Sequence, residues 1–213
     1  MWKTLLRECV QALFVCLSLD MPGLERSSTL IMEKARGIVT RVTKLGDTSL
    51  IVHWCSREAG LIKTVAKAAR RATSPFAGKL DLFVEAELVW SQSRKSDLHI
   101  LKEVEVSGFY AELRRGYAET MVAAYFCQLL EAVVEREHPV PELFDLLRGA
   151  FGYLSKSAAD RRALLHYERR LAELLGVGHD GVNAGAALER AFGRLPRSRK
   201  DCLALMGGSP TDE

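Results

Sequence analysis

The stretch LFVEAELVW, residues 82–90, places Leu82, Val84, Ala86, Leu88 and Trp90 on one side of an extended chain and Phe83, Glu85, Glu87 and Val89 on the other. Such two-residue alternation belongs to a half-buried strand, with the two glutamates expected to point to solvent. The same period runs outward from it. Upstream, Ile38, Thr40 and Val42 oppose Val39, Arg41 and Thr43, and Leu50, Val52 and Trp54 line the next run. The turn Arg57-Glu58-Ala59-Gly60 ends that run, and Leu61–Ala66 reads as a third strand. Downstream, the polar segment Ser91–Asp97 is a hairpin loop with Arg94 and Lys95 at its tip, and Leu98, Ile100, Val104 and Val106 continue as the last strand. Five short strands between residues 33 and 106 suit a small closed barrel of the OB type, and an SH3-like barrel fits the count nearly as well.

After Ser107 and Gly108 the apolar period becomes helical, which places a boundary there. Ala118, Met121, Val122, Tyr125, Phe126, Leu129, Leu130 and Val133 form one stripe, closed by Glu135-Arg136-Glu137. Pro141 suits a first helical position ahead of Leu143, Phe144, Leu147, Phe151 and Leu154. Ser157, three residues before Asp160, has the spacing of an N-cap for a helix carrying Leu164, Leu165, Leu171, Leu174 and Leu175, with Gly176 as its stop. A glycine-rich loop over 177–185 leads to short terminal helices over 186–195 and 197–206. The fold class is therefore α+β: a five-stranded barrel over 32–107, then an all-α part over 108–213.

With 213 residues, 48% of them apolar, the chain can bury a substantial core. Its net charge of +3 is too small for binding to a polyanion through total charge alone. Cys9, Cys16, Cys55, Cys127 and Cys202 lie far apart with no Cys-x-x-Cys pair, and read as reduced thiols of a cytosolic protein. The apolar run Val10–Leu19 is too short for a membrane span and lacks a small-x-small cleavage site. Residues 1–31 read either as an amphipathic helix that packs on the domain or as an upstream extension with the functional start at Met32, the reading that the family resemblance given below favours.

The strongest functional signal is local. Between Leu61 and Leu80 stand Lys63, Lys67, Arg70, Arg71 and Lys79 without one Asp or Glu. An uncompensated cationic stretch in an otherwise balanced chain points to a polyanion, with nucleic acid first among them. Arg70-Arg71 is the best pair for gripping phosphate oxygens, because guanidiniums present a fixed fork of donors. Arg36 and Arg41 extend the set, and Arg94, Lys95, Arg197, Arg199 and Lys200 are auxiliary candidates. The Arg161, Arg162, Arg169 and Arg170 set is interleaved with Glu168 and Glu173, the pattern of a salt-bridged helix surface. Phe76, Phe83, Trp54 and Trp90 are expected in the core rather than as stacking platforms. The five histidines show no metal-ligand spacing, and neither a nucleophile elbow nor a phosphate-cradling glycine motif is present, so no catalytic residue, metal or cofactor is assigned. Two other readings stay open: a helical adaptor that grips a partner peptide, and a metal-dependent nucleic-acid enzyme, which would need a carboxylate cluster.

With these elements in place, the chain after Met32 resembles the bacterial RecO family of recombination mediators. The resemblance is carried in order by Glu33-Lys34-Ala35-Arg36-Gly37-Ile38-Val39, Leu45-Gly46-Asp47-Thr48-Ser49-Leu50-Ile51-Val52, and Arg57-Glu58-Ala59-Gly60-Leu61. It continues through Val65-Ala66-Lys67-Ala68-Ala69-Arg70-Arg71, Ser74-Pro75-Phe76-Ala77-Gly78-Lys79-Leu80, Pro141-Glu142-Leu143-Phe144 and Glu168-Arg169-Arg170-Leu171-Ala172-Glu173-Leu174-Leu175-Gly176. The chain departs from the four-cysteine zinc module that many relatives insert after the last of these. Here His179 follows, and no cysteine appears until Cys202. The resemblance implies a cytoplasmic, nucleoid-associated protein that binds single- and double-stranded DNA and anneals complementary strands. It also implies action with RecR and with the C-terminal tail of single-stranded DNA-binding protein in recombinase loading, with no membrane partner.

Overall fold

The computed structural model describes residues 32–178 and 181–207. The expectations for residues 1–31, for Cys9 and Cys16, and for His179 lie outside the described residues. Five strands, β1 (Met32–Leu45), β2 (Ser49–Ser56), β3 (Gly60–Ala66), β4 (Val84–Ser91) and β5 (Leu98–Phe109), close into a barrel in the order β1-β2-β3-β5-β4. All pairings are antiparallel except the short parallel seam of β3 with β5, where Lys63, Thr64 and Val65 face Leu98, His99 and Ile100. The barrel is of the OB type.

The alternation read from 82–90 holds from Val84 onward. Val84, Ala86, Leu88 and Trp90 point inward to meet Val39, Val52, Trp54, Ile62, Leu101 and Val104. Burying such side chains stabilises by about 1.5–3 kcal/mol each. Trp54, fully buried, donates its indole N–H to Thr64 Oγ1 at 2.9 Å, so the one polar atom of its ring is satisfied. Leu82 and Phe83 precede the strand. Phe83 has φ 66° and turns outward to pack edge-on against Phe151 at 5.3 Å.

One reading of face is corrected, in β1, and β5 carries irregularities of the same kind. In β1 the register shifts between Val39 and Arg41, so Thr40 is a bulge residue and Ile38, Thr40 and Val42 do not share a side: Ile38 packs on the helices while Val39 and Val42 line the barrel. In β5, shifts opposite Glu85/Ala86 and Val89/Trp90 bring Leu101 and Val104 inward, and leave Leu98 and Ile100 half-buried and Val106 exposed. One extra residue reverses the side on which every later one falls.

A 3-10 turn (Ala111–Arg114) leads into α1 (Tyr117–Val133), α2 (Pro141–Lys156), α3 (Arg161–Leu174), α4 (Ala184–Phe192) and α5 (Ser198–Leu205). Pro141 opens α2, and Gly176, with φ 71°, follows α3 as expected. The cap of α3 is Asp160 rather than Ser157: its carboxylate accepts from Ala163 N–H at 2.7 Å, while Ser157 terminates α2. The helical core joins Tyr125, Phe126, Leu129, Leu130, Phe144, Leu147, Phe151 and Tyr167, and it also takes in Ile38, Cys55, Leu61 and Phe83 from the outer barrel wall. Phe126 and Tyr167 stack at 4.0 Å.

Buried charge accompanies this packing. Glu85, expected at the surface, is only 4% exposed, and it accepts from Tyr110 Oη at 2.8 Å and from Arg148 Nε at 3.1 Å. Glu168 on α3 is fully buried, where Tyr125 Oη at 2.5 Å and Arg199 Nε and Nη2 at 2.8 and 3.1 Å surround its carboxylate. A buried carboxylate is tolerated when several donors replace its water. No helix among the described residues is long and apolar enough to cross a membrane.

Candidate nucleic-acid interface

The segment after β3 turns sharply at Ala68, with φ 56°, and is pinned to the β1–β2 turn. Arg70 N–H donates to Thr48 O at 2.9 Å, and Ala68 N–H to Ser49 Oγ at 3.3 Å. Ala69 and Phe76 insert into the barrel core. These anchors leave Lys67, Arg70 and Arg71 exposed on an ordered turn. Arg70 Nη1 donates to the carbonyl of Asp47 at 2.7 Å, which binds the guanidinium to the neighbouring turn without spending a carboxylate on it. Lys67 and Arg71 form no ion pair among the described residues. Lys44 joins them. It is exposed at the end of β1, opposite Leu50, which in turn pairs with Ala66, the residue before Lys67. Its place was not legible from the sequence, because only the strand register brings it beside the 67–71 turn. Lys79, half-buried farther along the same segment, donates Nζ to Val104 O at 3.3 Å.

The other strand cations sit at the seam between barrel and helices. Arg41 pairs with Glu131 of α1, whose carboxylate also takes hydrogen bonds or charge from Thr40 at 2.9 Å and His53 at 3.3 Å. Burial works to raise the Glu131 pKa, yet the hydrogen bonds from His53 and Thr40 and the Arg41 charge together hold it below the usual value. Lys63 Nζ and Arg136 Nη1 both reach Asp97 Oδ2 at 2.9 Å, and the hydrogen bond from Lys63 is the leading cause of a lowered Asp97 pKa. Arg36 Nε lies 4.0 Å from Glu85. Beside it, the Tyr110 hydroxyl is pushed up to about 12 by burial and by Glu85. Lys63, Arg36 and Arg41 are thus not grouped with the 67–71 turn; each faces a carboxylate.

Of the auxiliary candidates, Arg94, Lys95, Arg197 and Lys200 are exposed without an ion pair among the described residues, while Arg199 is committed to Glu168. Phe76, Phe83, Trp54 and Trp90 are buried, as is expected of core residues. Cys55, Cys127 and Cys202 are buried free thiols, and burial pushes Cys55 up to about 12.

Between α2 and α3 runs a cleft of about 590 Å³ with an apolar floor from Phe126, Leu146, Ala150 and Tyr167. Arg162, His166 and Arg170 stand on its rim together with Asp145 and Asp160.

Residues 31–110 match the family model described as Recombination protein O N terminal, and residues 114–193 the one described as Recombination protein O C terminal. The DNA repair protein RecO of Syntrophus aciditrophicus is 28% identical over 149 residues, covering 70% of this chain and 58% of that protein. That of Rhodopirellula baltica is 29% identical over 139 residues, covering 65% and 52%. That of Cyanothece sp. is 34% identical over 124 residues, covering 58% and 42%. The chain thus spans about half the length of the curated relatives it matches. Both halves of the described fold, the OB-type barrel and the helices behind it, are matched in order, and the chain belongs to the RecO family.

Proposed function

We propose that this chain binds single- and double-stranded DNA through the barrel mouth, promotes annealing of complementary strands, and acts with RecR and single-stranded DNA-binding protein to load recombinase during recombinational repair. The observation that carries this reading is the patch of Lys44 at the end of β1 and Lys67, Arg70 and Arg71 on the turn after β3, exposed where that turn is tied to the β1–β2 turn and without a carboxylate partner among the described residues. OB-type barrels use the face of their second and third strands and the adjoining loops for oligonucleotides. Phosphate contacts carry no base information, so they gather strands without fixing a sequence, and the process needs no covalent chemistry. In this reading residues 32–107 supply the DNA surface and 108–213 the partner surface, in the cytoplasm and on the nucleoid. Lys79, Arg94 and Lys95 are further contacts in this reading, Arg94 and Lys95 on the β4–β5 loop beyond the Lys63 end of β3, and Lys63, Arg36 and Arg41 contribute only where a phosphate displaces their carboxylates.

The α2–α3 cleft supports the partner half of the reading. An apolar floor beside Arg162, His166 and Arg170 suits an acidic, apolar peptide such as the tail of single-stranded DNA-binding protein.

The test is single-strand binding across a salt series for the parent and for Arg70→Ala/Arg71→Ala. Losing two phosphate contacts lowers the log–log salt slope by about 1.4 and affinity several-fold. Equal slopes and affinities at moderate salt would remove the barrel mouth as the site.

A further inference from the structure

The outer wall of the barrel changes character along its strands. Across β2, β3 and β5 the ladder pairs His53 with Lys63 and Lys63 with Leu98, and two residues further toward the barrel mouth it pairs Ile51 with Val65 and Val65 with Ile100. Side chains directly opposite one another share a face, and a two-residue step keeps it. Both rows therefore lie outside, opposite to Val52, Trp54, Ile62 and Leu101, which fill the interior. Arg41 extends the first row onto β1, and Thr43 the second.

This wall is covered at one end. Cys55 and Leu61, one step before the charged row, are taken into the helical core, and Glu131 and Asp97 meet the charged row itself. Ile51, Val65 and Ile100 join neither apolar cluster of the described residues, and each keeps part of its surface open. Two residues beyond Val65 stands exposed Lys67, and with it the patch of Lys44, Arg70 and Arg71. β-Branched residues are ordinary in strands, but a solvated sheet face is expected to alternate apolar-in with polar-out. Three aliphatic side chains abreast on the outside, with cations on either side, break that alternation.

We propose that Ile51, Val65 and Ile100 form a strip that receives the base faces of unpaired DNA and makes the barrel wall selective for single strands. The proposal deepens the DNA-binding reading given above and rests on it for the phosphate contacts. Charge complementarity selects the occupant: a single strand offers apolar base faces beside an anionic backbone, and the strip lies beside the Lys44, Lys67, Arg70 and Arg71 patch, which has no carboxylate partner among the described residues. With strands about 4.8 Å apart, three side chains abreast span about 10 Å, room for about two or three bases. A duplex keeps its base faces stacked inside, so it gains from the cations and not from the strip. Contact through base faces is indifferent to sequence and leaves the pairing edges free, as annealing requires. A second copy of this chain, laid strip to strip, would set the cationic borders against each other.

The experiment compares the full chain with Ile51→Thr/Val65→Thr, which keeps β-branched side chains and removes apolar surface. Fluorescence anisotropy is read with oligothymidylate, with an abasic strand of the same length and with a short duplex. The parent should bind oligothymidylate several-fold more tightly than the abasic strand. The threonine variant should lose that preference while its duplex affinity and salt slope stay at the parent's values, because the phosphate contacts remain. Val65→Trp gives a reading that survives if the first variant unfolds: the introduced indole should be quenched by oligothymidylate and not by the abasic strand. A parent indifferent to bases, a threonine variant with the parent's preference, or no quenching in Val65→Trp overturns the proposal. So does a threonine variant that only loses self-association in sedimentation, since the strip would then join copies of the chain. Arg70→Ala/Arg71→Ala keeps the two readings apart: an unchanged salt slope there removes the barrel-mouth cations, whereas the preference for bases over an abasic strand decides the strip alone.

Discussion

Gly60, the first residue of β3, packs against the peptide of His138, whose carbonyl oxygen occupies the place where a Cβ would stand. The contact closes the edge of β3. Leu61 bridges to Arg136, and Glu137 N–H donates to Leu61 O at 3.1 Å, so the α1–α2 connection runs along the strand. Gly60 also has φ 71°. Gly60→Ala therefore meets both a left-handed backbone and a fixed carbonyl, and should cost about 2–4 kcal/mol in urea unfolding.

Removing the guanidinium of Arg199 leaves the carboxylate of Glu168 buried with, among the described residues, only the Tyr125 hydroxyl as a side-chain donor. Arg199→Ala should destabilise by about 3–5 kcal/mol. Arg199→Ala/Glu168→Gln, which takes away the charge as well, should recover part of that loss in the same denaturation assay.

The seam at Glu131 makes stability depend on acid. Its pKa is lowered in the folded state, so the contribution is fully present above the ordinary value of 4.5 and is lost as pH falls through the lower folded value. Thermal melts below about pH 4.5 should drop more steeply for the parent than for Glu131→Gln, which should be the less stable of the two at neutral pH and show a shallower acid limb.

Lys63 and Lys67 lie on the same run of sequence but should behave differently. Lys67→Ala removes an unpaired charge and should lower the single-strand salt slope by about 0.7. Lys63→Ala should change it less, because Asp97 already holds that ammonium. Asp97→Asn, which frees Lys63 and Arg136, should tighten binding. Fluorescence anisotropy across a salt series measures all three.

The buried thiols give a control on native packing. With Cys9 and Cys16 replaced by serine, the folded chain should react slowly with a thiol reagent at mildly alkaline pH, because Cys55, Cys127 and Cys202 are buried with raised pKa values. All three should react promptly in denaturant.

The barrel and helices were legible wherever a single period ran unbroken, as in Val84–Trp90 and Tyr117–Val133. The faces of β1 and β5 were not, since a bulge at Thr40 or an extra residue in β5 leaves no mark in composition while shifting everything after it. For the site, the run after β3 was readable because its lack of acids is local. The neutralisation of Arg41 and Lys63 was not, because Glu131 comes from a helix far along the chain and Asp97 lies 34 residues from its lysine. Glu85 and Glu168 were misplaced for a related reason: a glutamate between charged or polar neighbours looks solvated until the arginine that enters the core with it is known.

The apolar cluster that takes Ile38, Cys55, Leu61 and Phe83 out of the barrel wall and into the helical core has a practical corollary. Excising 32–109 for grafting onto another scaffold would bare those four side chains to water, and the excised piece would self-associate through them. Exposed loop tips such as 94–96 are the places where a fused tag or inserted peptide should be accepted without loss of folding.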